Sequence, residues 1–302
     1  MYDAIIIGGG PAGMAAAIYL ARQKLKFILL AKELGGKTLW SSDVENYLGF
    51  HLLSGVELVE KFKRHLEDYK QDFELHEGEL VRGIALQAAE FAVTTDKATY
   101  ETKTLLIATG QANRKLQVPG ETEFYGRGVT YCATCDAPLF KDKTVHVIGG
   151  GNSAMDAALL LEKYAAQITL VAVNDELKGD ARLKNRCLTS PKIKFLGGSR
   201  VAKILGQKFV DGIGLMGPDG TERKEATQGV FIEVGLKPIS DFIDFVEKDK
   251  LGQIIVDKRN RTSRLGVWAA GDVTDVTEKQ IAIAVGEGSK AAVDMISYLQ
   301  TA

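Results

Sequence analysis

DAIIIGGGPAGMAAAIYLA, from Asp3 to Ala21, and TVHVIGGGNSAMDAALLLE, from Thr144 to Glu162, are two copies of one pattern. Each has a short apolar run, then Gly-x-Gly-x-x-Gly or Ala, then a stretch of small residues, which is the arrangement of a dinucleotide-binding strand, turn and helix. Their first glycines, Gly8 and Gly149, lie 141 residues apart. The chemistry explains the spacing. Gly8 and Gly149 permit the tight turn, Gly10 and Gly151 let the backbone approach a pyrophosphate, and Gly13 and Ala154 let helix and strand pack closely. Pro11, Ala12 and Asn152 then open helices whose free N–H groups face the phosphates.

The flanks repeat as well. A second apolar run follows (KFILLA at Lys26, ITLVAV at Ile168), then an alternating meander (ELVRGIALQAAEFAVTT, RVAKILGQKFVDGIGLM), then a closing strand (TLLIATG, GVFIEVG). This predicts strand, helix, strand, hairpins, strand, twice over. One glycine fingerprint alone is a weak signal, whereas two with matching flanks are not an accident of composition. Val59, Phe62, Leu66 and Tyr69 recur at helical spacing between charges and read as core packing.

Composition sets the limits. At 302 residues the chain has room for about two domains of ~150 residues each. A formal net charge of −1 supplies no field that selects nucleic acid or an anionic membrane. The uncharged stretch Ala4 to Ala21 is broken by GGGPAG and has no basic segment before it, so it reads as strand, turn and helix rather than signal peptide or span. Three cysteines cannot form a secreted disulfide framework, and a close pair suits a reducing compartment, so the expected location is cytoplasmic.

Six blocks resemble, in order, the low-molecular-weight thioredoxin reductases and the related flavoprotein subunit of alkyl hydroperoxide reductase. They are GGGPAG at Gly8, GGKTLWSSDVENYLGF at Gly35, ATGQANRKLQVPGE at Ala108, GRGVTYCATCDAPLFKDK at Gly126, GGGNSAMDAA at Gly149 and GVWAAGDVTDVTEKQIAIAVGEG at Gly266. The resemblance implies an α/β fold of two Rossmann-like, three-layer ββα domains, the second inserted into the first. An FAD domain would comprise residues 1–111 and 249–302, and a second nucleotide-binding-like domain, residues 112–248, would carry the cysteines. It implies non-covalent FAD with its pyrophosphate over Gly8 to Gly13, Gly36, Lys37 and Asn46 near the flavin, and Ala108, Thr109 and Gly110 at the strand end. Gly271 and Asp272 would hold the ribityl chain. Lys279, Gln280 and Ile281 would open a helix whose positive end faces the flavin. Ala31 stands where an acid often binds the adenosine ribose, leaving Lys32 or Glu33 as substitutes. Trp40 and Tyr47 read as core. The resemblance also implies a homodimer, with hinges near Gln111 to Pro119 and Lys237 to Asp249 about which the inserted domain turns.

Three readings compete for Cys132 and Cys135 of YCATCD. Zinc needs four ligands, and Cys187, His51, His65, His76 and His146 offer no zinc-binding spacing. Simple packing requires neither the C-x-x-C spacing nor the acid after it. A redox pair uses both: one thiol becomes a thiolate that attacks a target disulfide, its neighbour resolves the mixed disulfide, and Asp136 moves the proton. Asp136 also suits a helix N-cap. The resemblance puts Cys135 on the flavin side and gives Cys132 the attack. Cys187 has no partner in sequence and reads as a buried structural thiol.

In NADPH-dependent members of that family a His-Arg-Arg and a later Arg follow the second domain's second strand. Here the run is LVAVNDELKGDARL, with Ala172, Val173 and Asn174 first and Lys178 near the last position. A 2′-phosphate wants arginine forks, so NADPH is disfavoured, although Arg182, Lys184 and Arg186 lie downstream. NADH remains, with Asp175 as the ribose carboxylate, and so does reduced ferredoxin, for which a decayed nucleotide site looks like this one. Gly149, Gly151, Asn152 and Ala154 are the candidate contacts for a second nucleotide. The expected function is an FAD disulfide reductase that serves thioredoxin or a thioredoxin-like protein through Cys132 and Cys135. The alternatives are a flavin dithiol oxidase that uses O₂, and a non-enzymatic nucleotide-sensing or zinc-stabilised module.

Overall fold

The computed structural model describes residues 1–41, 44–87 and 90–301; residues 42, 43, 88, 89 and 302 and the side chain of Trp40 lie outside the described set. The chain divides into two compact units, Met1–Ala112 with Lys237–Ala302, and Asn113–Leu236. The return crossing therefore comes earlier than the Asp249 expected from sequence. Segment 237–248 belongs to the first unit because Ile243 and Val246 are buried in the core beneath its sheet, and because the Ile239 amide donates to Gly110 O at 3.0 Å.

In the first unit the main sheet runs Glu74–Glu77, Phe27–Ala31, Tyr2–Ile7, Thr99–Ile107, Glu90–Thr95, Val81–Gln87, with Val267–Ala269 also paired to Thr99–Ile107. Its first four strands are parallel, in registers such as Ile5 with Ile28 and Ile5 with Leu105, and the meander is antiparallel. AIII and FILLA are apolar at every position because both faces are covered. Ala4, Ile6 and Leu29 lie against helices Pro11–Arg22 and Ile281–Thr301, while Ile5, Ile7, Ile28 and Leu30 pack with Ile243, Val246 and Ile254.

The two helices meet through small residues: a Cβ on Gly288 would lie 2.0 Å from Ala12 O. Helix Gly55–Glu67 opens with a capping box in which Ser54 Oγ accepts the Glu57 N–H and Glu57 Oε2 accepts the Ser54 N–H. Val59 and Leu66 are buried and Phe62 half-buried, so the stripe is core. Tyr47 packs on Phe62, their ring centres 5.7 Å apart.

The second unit has a parallel sheet ordered Ile193–Leu196, Gln167–Val171, Thr144–Ile148, Gly229–Ile232, Val129–Thr130. Its meander, Arg200–Gly206, Val210–Met216 and Glu222–Ala226, is a separate three-stranded sheet. The repeat is thus imperfect, for a reason of length. Thr99–Ile107 has 9 residues and pairs with both the parallel strands and the meander, whereas Gly229–Ile232 has 4 and reaches the parallel strands alone. Among the described residues no helix is long and apolar enough to cross a membrane.

Candidate active site

In the first unit the turn after Tyr2–Ile7 is built as its glycines require. Gly8 has φ +119°, and a Cβ there would lie 2.2 Å from Ala108 O, so the ATG segment presses directly on the turn. A Cβ on Gly13 would lie 1.9 Å from Gly8 O, which is why helix and strand can be this close. At Gly10 a Cβ would meet nothing within 4 Å, and no side chain caps the helix that begins at Pro11. The turn is therefore open, with no side-chain cap among the described residues to satisfy its N–H groups. Gly36 lies beside Gly10, its absent Cβ 3.5 Å from Gly10 Cα.

The two ends of the chain meet at this site. Lys37 Nζ donates to Asp272 Oδ2 at 2.7 Å, and Asn46 Nδ2 donates to Gln280 Oε1 at 3.0 Å, two pairs separated by more than two hundred residues in sequence. Lys279 donates to Thr274 O at 2.6 Å, and burial pushes its ammonium below the usual lysine range. Helix Ile281–Thr301 begins immediately after Gln280. Thr109 Oγ1 donates to Ile239 O at 2.6 Å and so anchors the ATG segment instead of remaining free. Lys32 and Glu33 are exposed beyond the strand that ends at Ala31.

In the second unit Cys132 and Cys135 form a disulfide. Cys132 is half-buried and Cys135 exposed. Cys132 is the N-cap of the short helix Ala133–Asp136, its sulfur accepting the Cys135 N–H at 3.2 Å. Asp136 stands at the N-cap of the turn Ala137–Phe140, but its carboxylate makes no capping bond there: it accepts from the Thr130 hydroxyl, and Thr130 Oγ1 accepts the Cys132 N–H at 3.1 Å. This links the acid to the backbone of the first cysteine.

The block ATGQANRKLQVPGE ends on an anchor whose role the sequence analysis did not assign. Glu121 is buried, and its carboxylate accepts the N–H groups of Leu116 and Gln117 at 2.8 and 2.6 Å and the Tyr131 hydroxyl at 2.6 Å. Burial and that carboxylate push the Tyr131 phenol well above its ordinary range, so it remains a donor. Cys187 is buried and unpaired, its thiol pushed up to about 11 by burial. Among the described residues no group of three or more His, Cys, Asp or Glu could hold a metal ion.

The second glycine turn repeats the first in geometry. Gly149 has φ +143° and would place a Cβ 2.2 Å from Glu233 O, so Glu233 occupies the place Ala108 has in the first unit. The Glu233 carboxyl is pushed up to about 7 by burial and by the negative charge of Asp156. Here the chain folds over its own turn. The Lys178 N–H donates to Gly150 O and the Asp180 N–H donates to Asn152 Oδ1, both at 2.8 Å. Val173 is exposed, Lys184 pairs with Glu176 at 3.3 Å, and Asp175 Oδ1 lies against Gly198.

Residues 2–288 match the model of the pyridine nucleotide-disulphide oxidoreductases. The chain belongs to that family. It is 39% identical, over 99% of its length, to an alkyl hydroperoxide reductase subunit of Pseudomonas putida, and spans 58% of the length of that relative. Among solved structures it is similar to thioredoxin reductase of Lactococcus lactis, with 36% identity, 100% of each chain covered and a TM-score of 0.87. It is likewise similar to T. acidophilum thioredoxin reductase, with 39% identity, 98% of each chain covered and a TM-score of 0.83.

Proposed function

We propose that the protein is a flavoprotein disulfide reductase in which the Cys132–Cys135 disulfide carries electrons to thioredoxin or a thioredoxin-like protein. The observation that carries this reading is the disulfide itself, on a Rossmann-like unit of a chain whose other unit bears an open glycine turn. Non-covalent FAD suits the first unit. The uncapped helix at Pro11 and the side-chain-free Gly10 fit a pyrophosphate, and Lys37, Asn46, Asp272 and Gln280, drawn together from both chain ends, supply polar groups for the ribityl chain and ring. When bound, FAD would supply the two-electron reduction that opens the disulfide to a dithiol.

The chain's own residues do the exchange. With Cys132 as the attacking thiolate, its sulfur bonds to one sulfur of the partner disulfide and the other leaves as a thiolate. The Cys135 thiolate then attacks the mixed bond, which re-forms Cys132–Cys135 and frees the partner dithiol. Asp136, adjacent to Cys135 and held by Thr130, takes the Cys135 thiol proton and returns it to one departing partner thiolate, and the other takes its proton from solvent.

The donor is NADH or reduced ferredoxin rather than NADPH. Ala172, Val173 and Asn174 offer no guanidinium to a 2′-phosphate, and Lys184 is turned to Glu176. The reading extends to a cytoplasmic homodimer. The test is anaerobic bleaching of the flavin by NADPH, NADH and reduced ferredoxin in turn, followed by addition of thioredoxin. Rapid bleaching by micromolar NADPH would overturn the donor assignment. Oxygen uptake on adding dithiols, without reduction of thioredoxin, would identify a dithiol oxidase instead.

A further inference from the structure

Glu287, in the second turn of helix Ile281–Thr301, is 6% exposed. A buried carboxyl is expensive unless its hydrogen bonds are made, and this one is bound to the backbone at the candidate flavin turn. Its Oε2 accepts the Gly271 N–H at 2.7 Å. Thr274 closes the same turn, its N–H and its hydroxyl reaching Gly271 O at 3.0 and 2.8 Å, and the hydroxyl lies 3.5 Å from Glu287 Oε2. Gly271 itself has φ +79°, and a Cβ there would crowd Ala12 Cβ at 3.1 Å, so no side chain of its own can anchor it. Gly271 immediately precedes Asp272, the partner of Lys37.

One neighbour fits the same role. Asn260, with no exposed surface, lies beside the Glu287 carboxyl; its Nδ2 donates to Ala269 O at 2.8 Å, while its buried Oδ1 has no hydrogen-bond partner. Burial pushes the Glu287 carboxyl above its ordinary range, against the hydrogen bonds of Gly271 and Asn260 and the charges of Lys290 and Lys279.

We infer that Glu287 is a positioning residue for the flavin reaction: its carboxyl clamps the Gly271–Asp272 turn from the protein interior and so sets the Lys37–Asp272 pair on the flavin side. The inference rests on the reading that FAD lies on that turn. Reach, not charge, is what the clamp requires. Aspartate keeps the charge but withdraws the oxygen by roughly one C–C bond, about 1.5 Å, which takes a 2.7 Å contact out of hydrogen-bond range. Glutamine keeps both the reach and the acceptor.

The experiment compares wild type, E287D and E287Q after removal of flavin and back-titration with FAD, followed by flavin fluorescence and the visible spectrum of the rebound flavin. The expected result is an FAD dissociation constant raised about tenfold or more in E287D with an altered flavin band, and within about threefold of wild type in E287Q with the wild-type band. E287A replaces E287D, with the same expectation, should the latter fail to fold. FAD binding unchanged in E287D, or weakened equally in E287Q, would overturn the positioning role. A folded wild type that takes up no FAD would overturn the underlying cofactor reading and the clamp with it, an outcome recognised by the absence of flavin signal in all three proteins.

Discussion

Two glycines on the last helix of the first unit, Gly286 and Gly288, should respond to alanine with opposite sign. Around Gly286 an added Cβ meets nothing within 4 Å; at Gly288 it meets Ala12 O, C and Cα at 2.0, 2.7 and 2.8 Å, all backbone. No rotamer change relieves contact with backbone, so the helices must separate by roughly 1.4 Å for the Cβ to reach ordinary contact near 3.4 Å. That separation loosens the packing of Ala12, Ala284, Ala291, Ala292 and Met295. Overpacking of this kind costs about 3 kcal/mol at the upper end of its usual range, offset by about 1 kcal/mol from replacing a helical glycine. Gly288→Ala should therefore lose about 2 kcal/mol and Gly286→Ala gain about 1 kcal/mol. For a unit of this size that corresponds to Tm changes of roughly −4 to −8 °C and +2 to +4 °C. Thermal unfolding should be followed at saturating FAD, so that altered affinity does not enter the comparison. If Gly288→Ala proved as stable as Gly286→Ala, the close approach of the two helices would be wrong.

Replacing Cys132 or Cys135 by Ser should reduce thioredoxin turnover to background while the flavin spectrum persists, since neither sulfur belongs to the unit with the open glycine turn. Burial holds the His146 imidazole below its ordinary 6.5 despite Glu225 at 3.0 Å, so the unfolded chain takes the proton first; stability is full above pH 6.5 and falls as pH drops below it. Denaturant midpoints between pH 8 and pH 5 should show this loss in wild type and a smaller one in His146→Phe. For Glu233 the sign reverses: a carboxyl raised from 4.5 to about 7 by burial carries stability that is present below pH 4.5 and lost as pH rises through 7. Glu233→Gln should accordingly stabilise the protein more at pH 8 than at pH 4.5, as read by thermal unfolding.

What could be read from the sequence was what local chemistry determines. Gly8 and Gly149 take the left-handed conformations their turns need, and the apolar runs between them form parallel strands. Cys132 and Cys135 were legible because a C-x-x-C spacing is itself close to a contact. The residues that hold the sites in place were not. Glu121, Glu233 and Glu287 lie inside legible stretches, PGE, FIEVG and VGEG, but a glutamate in a sequence reads as solvent-facing until the fold buries it. Segment 237–248 joins the first unit rather than the second for a similar reason. Its apolar residues Phe242, Ile243, Phe245 and Val246 show which segment is buried but not which core receives it.

The same limit explains why two nearly identical turns have different prospects as binding sites. A glycine fingerprint specifies a turn and a free helix end; whether a phosphate can reach them depends on what folds across. Gly10 and Gly151 both face open space, and at the first turn Gly36 lies beside Gly10 without a side chain. At the second, the backbone N–H groups of Lys178 and Asp180 are spent on Gly150 O and Asn152 Oδ1, and Gly179 sits so close that a Cβ would be 2.0 Å from Asn152 Oδ1. Asn152 is thereby occupied with its own chain. Glu233 then places a carboxyl where the first turn has a methyl, and its charge, once ionised, adds to that of Asp156. An anionic dinucleotide would have to overcome both carboxylates, with Arg186 the arginine whose charge reaches Asp156. An electron donor that delivers its electrons from outside the second turn meets no such opposition, which is why reduced ferredoxin has to be tested beside NADH rather than after it.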